Sequence, residues 1–190
     1  MSASRRQVLG ALAAASYSRV LAANDRVQVG FAGYGLIGAQ HVHDFSNQKD
    51  VDLAAMCDVY QPRLEQGVQA CGGKARSYRD FRKMLDDKEL QAIVVSTPDH
   101  WHCLMAMMAC AAGKDVYVEK PPSVFVQEAR WFADVARKHK RVVQVGTQQR
   151  SGKHYREGQE LVRSGHIGKI LAARAGAFRN IMPGFGSPPN

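Results

Sequence analysis

Three glycines constrain this chain more than any other feature. Gly33, Gly35 and Gly38 stand as G-x-G-x-x-G, directly after the β-branched run 27–32 and directly before a stretch with helical apolar spacing. In that context each glycine has a separate steric task. The first allows a tight turn out of a strand, the second lets backbone N–H groups approach a pyrophosphate, and the third lets the helix pack closely on the strand. The helix N-terminus then offers its unpaired N–H groups to the phosphate charge. Glycine turns after strands are common, so the pattern carries weight because a strand and a helix flank it. The loop residues Gly33, Tyr34, Gly35, Leu36, Ile37 and Gly38 are the first candidate cofactor contacts.

From Arg26 onward, short β-branched runs alternate with helical stretches, the signature of parallel βαβ units. Strands are expected at 27–32, 51–57, 92–96, 116–119 and 142–145, with a short, weakly marked one near 74–78. Helical spacing joins Leu64, Val68 and Cys71; Phe81, Met84 and Leu85; and Ala129, Phe132, Ala133 and Ala136. The expected fold is α/β, a Rossmann-type doubly wound parallel sheet in the order 3-2-1-4-5-6. After Gly146 the rhythm changes to a polar helix, 152–164, and a further strand is expected from 167 to 171.

Asp58 ends the second run, 20 positions after Gly38, where an acid can accept hydrogen bonds from both ribose hydroxyls of an adenosine. An acid there repels a 2′-phosphate, so NAD is the expected cofactor. NADP is the alternative, with Arg63 near enough in sequence to serve it. The competing reading of Asp58 is a cap for the helix that contains Pro62.

The net charge of +9 would suit a nucleic-acid partner, yet three of the charges, Arg5, Arg6 and Arg19, lie in the first 22 residues. Arg137, Lys138, His139, Lys140 and Arg141 cluster at a helix end, where cations offset the helix dipole. With no zinc-finger spacing and no basic reading helix, no nucleic-acid partner is expected. The longest weakly charged apolar run, 8–17, falls short of the roughly 20 residues that a bilayer span needs, so no membrane span is expected. Cys57, Cys71, Cys103 and Cys110 form no C-x-x-C pair and are expected as buried free thiols. His100 and His102, beside Cys103, begin a helix on which positions two apart diverge by about 200°, so no metal site is expected. Met105, Met107 and Met108 are expected in the core, and His41 and His43, without a partner pattern, on the helix surface or its packing edge.

Residues 1–22 place Arg5 and Arg6 before an apolar segment and hold acids off until Asp25, which is how an export signal is built. Ser4-Arg5-Arg6-Gln7-Val8-Leu9 resembles the twin-arginine motif, and cleavage is expected after Ala22. Periplasmic export follows from that reading. An amphipathic or disordered leader on a cytoplasmic protein is the alternative.

Three further segments bring a family into view. Ser96-Thr97-Pro98-Asp99-His100-Trp101-His102 resembles a strand-end T-P-x-x-x-H element, Val118-Glu119-Lys120-Pro121 an E-K-P motif, and Val145-Gly146-Thr147-Gln148-Gln149-Arg150 the lead into a second domain. With the glycine loop and Asp58, they make the stretch from Val27 to Leu171 similar to the N-terminal half of the Gfo/Idh/MocA oxidoreductase family. Gln148 and Gln149 depart from the Asn and Arg commoner there. The resemblance implies that Thr97, Pro98 and His102 line the cofactor crevice and that Glu119 contacts the nicotinamide-side ribose. It also implies that Lys120 sits near the reacting carbon and that Gln148 joins the cofactor set. A lysine suits the chemistry, because an ammonium beside an alcohol oxygen stabilises a developing alkoxide and relays its proton.

The implied activity is hydride transfer between a nicotinamide cofactor and a secondary hydroxyl of a sugar or polyol. Residues 26–147 are expected as the nucleotide domain and 148–190 as the start of an α+β substrate domain, with a homo-oligomer in the full-length protein. No Asp-x-x-x-His element follows residue 171, so these residues are expected to bind nucleotide without turning over substrate. The alternatives are a relative that retains NAD and cleaves a glycosidic bond through transient oxidation, and a non-catalytic nucleotide-binding module.

Overall fold

A computed structural model describes residues 26–176, so the expected export signal at 1–22 lies outside the described residues. Strands and helices alternate along them: β1 (Val27–Ala32), α1 (Leu36–Ser46), β2 (Val51–Cys57), α2 (Gln61–Ala70), β3 (Arg76–Tyr78), α3 (Phe81–Leu85), β4 (Ala92–Val95), α4 (Asp99–Ala111), β5 (Asp115–Glu119), α5 (Val126–Lys138), β6 (Val143–Gly146) and α6 (Lys153–Arg163). The strands form one sheet in the order β3-β2-β1-β4-β5-β6, and every neighbouring pair is parallel. This is the doubly wound arrangement expected from the alternation of runs.

A parallel sheet carries helices on both faces, so its central strands read as continuous apolar runs, as Ala92-Ile93-Val94-Val95 does. Side chains alternate between two cores. Ile93 and Val95 pack with Met84, Cys103, Ala106 and Phe132 of α3, α4 and α5, while Val94 packs with Val29, Phe31, Val42 and Leu64 from β1, α1 and α2. Met105, Met107 and Met108 pack against the first of these cores. All four cysteines are free, and burial pushes the thiols up, to about 12 at Cys57 and about 11 at Cys71 and Cys110.

Register brings the strand ends level. Ala32 pairs with Cys57 on one side and Val95 on the other, Val95 pairs with Val118, and Glu119 with Gly146. Everything that follows a strand therefore gathers along one rim. The order reverses between β1 and β4, the switch point at which open α/β sheets leave a crevice.

The chain divides into two compact units after Thr147. The second opens with a turn and α6, whose residues are all outside any core. The strand expected at 167–171 does not form: this stretch runs from a turn into irregular chain. Strand geometry is held by a neighbour's hydrogen bonds, and among the described residues none pairs with it. The basic cluster at the end of α5 is engaged locally, Arg141 donating to the carbonyl oxygens of His139 and Gly113 and Arg137 lying 3.6 Å from Asp134. No helix among the described residues is long and apolar enough to cross a membrane.

Candidate nucleotide site

The glycine loop starts where β1 ends. Gly33 has φ +93, a left-handed conformation, and its N–H donates to the Cys57 carbonyl oxygen at 2.8 Å. A Cβ at Gly33 would stand 2.8 Å from the Ser96 carbonyl oxygen, and one at Gly38 would collide with the carbonyl oxygen of Gly33. Both glycines are therefore demanded by the protein's own packing. Gly35 is different. It is the N-cap of α1 with ordinary φ −86 and no side-chain cap, and a Cβ there would find only the Arg63 guanidinium, at 4.0 Å. Nothing among the described residues fills that space, and the first-turn N–H groups of α1 lack intrahelical acceptors. Leu36, at the head of that turn, is 83% exposed.

Asp58 follows β2. Its Oδ2 accepts from the Tyr34 N–H at 2.8 Å and its Oδ1 from the Tyr60 N–H at 2.9 Å. It thus ties the glycine loop to the turn before α2, more than the cap of the competing reading, whose N-cap position belongs to Tyr60. A carboxylate has about four acceptor positions, so two such bonds leave capacity for ligand hydroxyls. After β4, Thr97 carries a hydroxyl Oγ1 that is buried and has no partner among the described residues, an arrangement proteins rarely leave unserved. Pro98 is the exposed N-cap of α4.

His102, which the resemblance places beside the cofactor crevice, is turned inward. It falls on the face of α4 that also buries Cys103, Ala106, Ala109 and Cys110, and it is 1% exposed. Its Nδ1 lies 2.7 Å from the Pro121 carbonyl oxygen and its Nε2 2.6 Å from that of Thr97, so neither nitrogen is free for a ligand. Glu119 is likewise turned inward. At 2% exposed, its Oε1 meets His41 Nε2 at 2.8 Å and its Oε2 accepts the Lys120 N–H at 3.1 Å. The room for this carboxylate comes from Gly146 on the next strand, where a Cβ would be 2.8 Å from Oε1. His41, expected on a surface or packing edge, is buried on α1 beside the Tyr117 ring. Its partner lies 78 residues away, so no local pattern could reveal the pair. The available signal was its place next to Val42, three residues after Gly38 on the face of α1 that packs on the sheet.

Lys120 stands at the end of β5, exposed and followed by a cis peptide bond to Pro121. Among the described residues its ammonium forms no salt bridge within 4.0 Å. Gln148 belongs to the second unit, exposed in the turn before α6. No group of three His, Cys, Asp or Glu among the described residues could hold a metal ion.

One rim thus carries an uncapped helix N-terminus with open space at Gly35, a carboxylate with remaining acceptor capacity, an unserved buried hydroxyl and a free ammonium. That set fits an extended ligand with phosphates, ribose hydroxyls and a polar end group. The family described as "Oxidoreductase family, NAD-binding Rossmann fold", Gfo/Idh/MocA, matches residues 27–147, more than half of the chain. This chain belongs to that family. The inositol 2-dehydrogenase of Salmonella paratyphi B is 28% identical over 147 residues, covering 76% of this chain and 44% of that protein. A glycosyl hydrolase family 109 protein of Shewanella baltica is 30% identical over 162 residues, covering 80% of this chain and 35% of its own length. The scyllo-inositol dehydrogenase of Lactobacillus casei, solved with NAD(H) and scyllo-inositol, superposes with a TM-score of 0.70 at 25% identity over 76% of this chain and 43% of that one. The chain spans less than half the length of these relatives.

Proposed function

We propose that this chain is the nucleotide-binding half of an NAD-dependent dehydrogenase that oxidises a secondary hydroxyl of a polyol or sugar. The observation that carries the reading is the position of Lys120, an exposed ammonium with no salt bridge among the described residues, on the same rim as the glycine loop and Asp58. In this account the N–H groups at the start of α1 hold the pyrophosphate, the free acceptor positions of Asp58 hold the adenosine ribose, and Thr97 Oγ1 bonds to the nucleotide. Bound NAD supplies the two-electron acceptor for the carbinol carbon. Lys120 would release one of its ammonium protons to solvent and accept the hydroxyl proton in its place as the O–H bond breaks, its N–H groups stabilising the charge that develops on the oxygen. Inositol dehydrogenases among the relatives support a polyol substrate.

The chain spans 44% of the length of the Salmonella inositol dehydrogenase, which supports a further part of the proposal: residues 1–190 bind NAD without turning over substrate. The Shewanella relative supports a second reading, glycoside cleavage with NAD retained and regenerated. The two differ in redox balance. Supplying the full-length protein with NAD and a panel of inositols, aldoses and aryl glycosides should give net NADH from a polyol or sugar; cleavage of a glycoside with no net NADH would favour the second reading instead. In the same protein, Lys120→Ala should lower kcat by about 10²-fold, the scale for losing a positioned acid or oxyanion donor. NAD affinity should change by less than about tenfold, because the lysine acts as charge develops. Near-normal turnover would remove Lys120 from the chemistry.

A further inference from the structure

We propose that His102 is a positioning residue for Lys120, fastening the Lys120–Pro121 peptide to the end of β4 through both of its ring nitrogens. The proposal deepens the reading of Lys120 as the proton-handling group and rests on it.

Thr97 follows β4 and Pro121 follows β5, so the two loops that meet at the rim are joined by one buried side chain, at 2.6 Å and 2.7 Å. Both partners are backbone carbonyls, which only accept, so satisfying both bonds requires an N–H on each ring nitrogen. Both bonds are part-buried, and the ring that makes them is 1% exposed, so their geometry is held by the packing of α4. The opposite side of the same segment is held as well: the Lys120 N–H donates to Glu119 Oε2, and Glu119 Oε1 is held by His41 of α1. Lys120 therefore has a backbone fixed on both flanks and a side chain left in solvent. A long, flexible lysine acts on one atom of a substrate only if its base is held, since small misplacements of a reacting group cost large factors in rate.

A ring that merely fills space would predict something else, and two amides separate the cases. Asparagine places its amide nitrogen near the position of Nδ1, which meets Pro121; glutamine places its own near Nε2, which meets Thr97. The measurement is amide hydrogen exchange at Lys120 in the ¹⁵N-labelled chain, with Phe31 in β1 reporting global opening. His102→Gln should speed exchange at Lys120 by about fivefold or more relative to Phe31, the factor expected for losing one part-buried hydrogen bond worth about 1 kcal/mol. His102→Asn should stay within about threefold of the unmodified chain, the smaller residue rescuing what the larger does not. The reverse order would follow the size of the hole left behind and would overturn the proposal, as would equal rates in the two variants.

The unmodified chain gives a test that needs no variant to fold. Both His102 ring N–H protons should be visible in a ¹⁵N-selective spectrum, and a ring showing a single proton would overturn the two-point attachment. Neither measurement requires NAD or substrate. Failure here would leave the dehydrogenase reading standing, whereas failure of the turnover assay would leave the attachment intact.

Discussion

At the scale of single residues, the sharpest division is between groups whose partners are near in sequence and groups whose partners are not. The three glycines and Asp58 could be read directly, because a strand, a turn and a helix follow one another there and each position has a local steric or electrostatic reason. His102 and Glu119 could be picked out as important, but their protein partners could not. Both turn away from the rim, one onto the buried face of α4 and the other toward Gly146, and such direction depends on packing that no motif spells out. Asp58 offers the cleanest prediction at this scale. A carboxylate at the adenosine ribose would oppose a 2′-phosphate, and the Arg63 guanidinium stands near Gly35. Asp58→Asn keeps an acceptor for one of the two backbone N–H groups and removes the charge. The ratio of NAD to NADP affinity should then fall by about tenfold, the effect of roughly one close charge interaction in a partly exposed site. Unchanged discrimination in paired titrations would show that another group selects the cofactor.

At the scale of elements, alternating β-branched and helical runs were enough to anticipate all six strands of the sheet and their order, since parallel neighbours joined by right-handed crossovers leave few other arrangements. Even the three-residue β3 was marked, by Arg76-Ser77-Tyr78. The run 167–171 misled because its composition suits a strand while pairing does not come from composition. The link between α1 and β5 was invisible for a related reason: the buried His41–Glu119 pair, at 2.8 Å, joins elements far apart in the chain. Removing His41 takes one hydrogen-bond partner from the buried Glu119 carboxylate, so His41→Ala should lower unfolding free energy by about 1–3 kcal/mol in urea titrations. Replacing both with leucine should cost less than His41→Ala, because no buried acceptor then loses a donor. A loss under about 1 kcal/mol from His41→Ala would mean that the Glu119 carboxylate is served well enough by its other contacts.

For the whole molecule, the central claim is that the glycine loop is a cradle for NAD and more than a tight turn. Gly33 and Gly38 cannot separate those two roles, because the protein itself leaves them no room for a side chain. Gly35 can. Its φ of −86 suits any residue and its neighbourhood is open, so a side chain there should fold normally and obstruct only a ligand. The deciding measurement is isothermal titration of NAD into the chain and into Gly35→Val, with the thermal unfolding midpoint of each recorded alongside. The account predicts that the unmodified chain binds NAD. It predicts that Gly35→Val unfolds within about 3 °C of it, less than about 1 kcal/mol of stability, and that NAD affinity falls by at least about tenfold. No NAD binding by the unmodified chain, or undiminished binding by Gly35→Val, would contradict it.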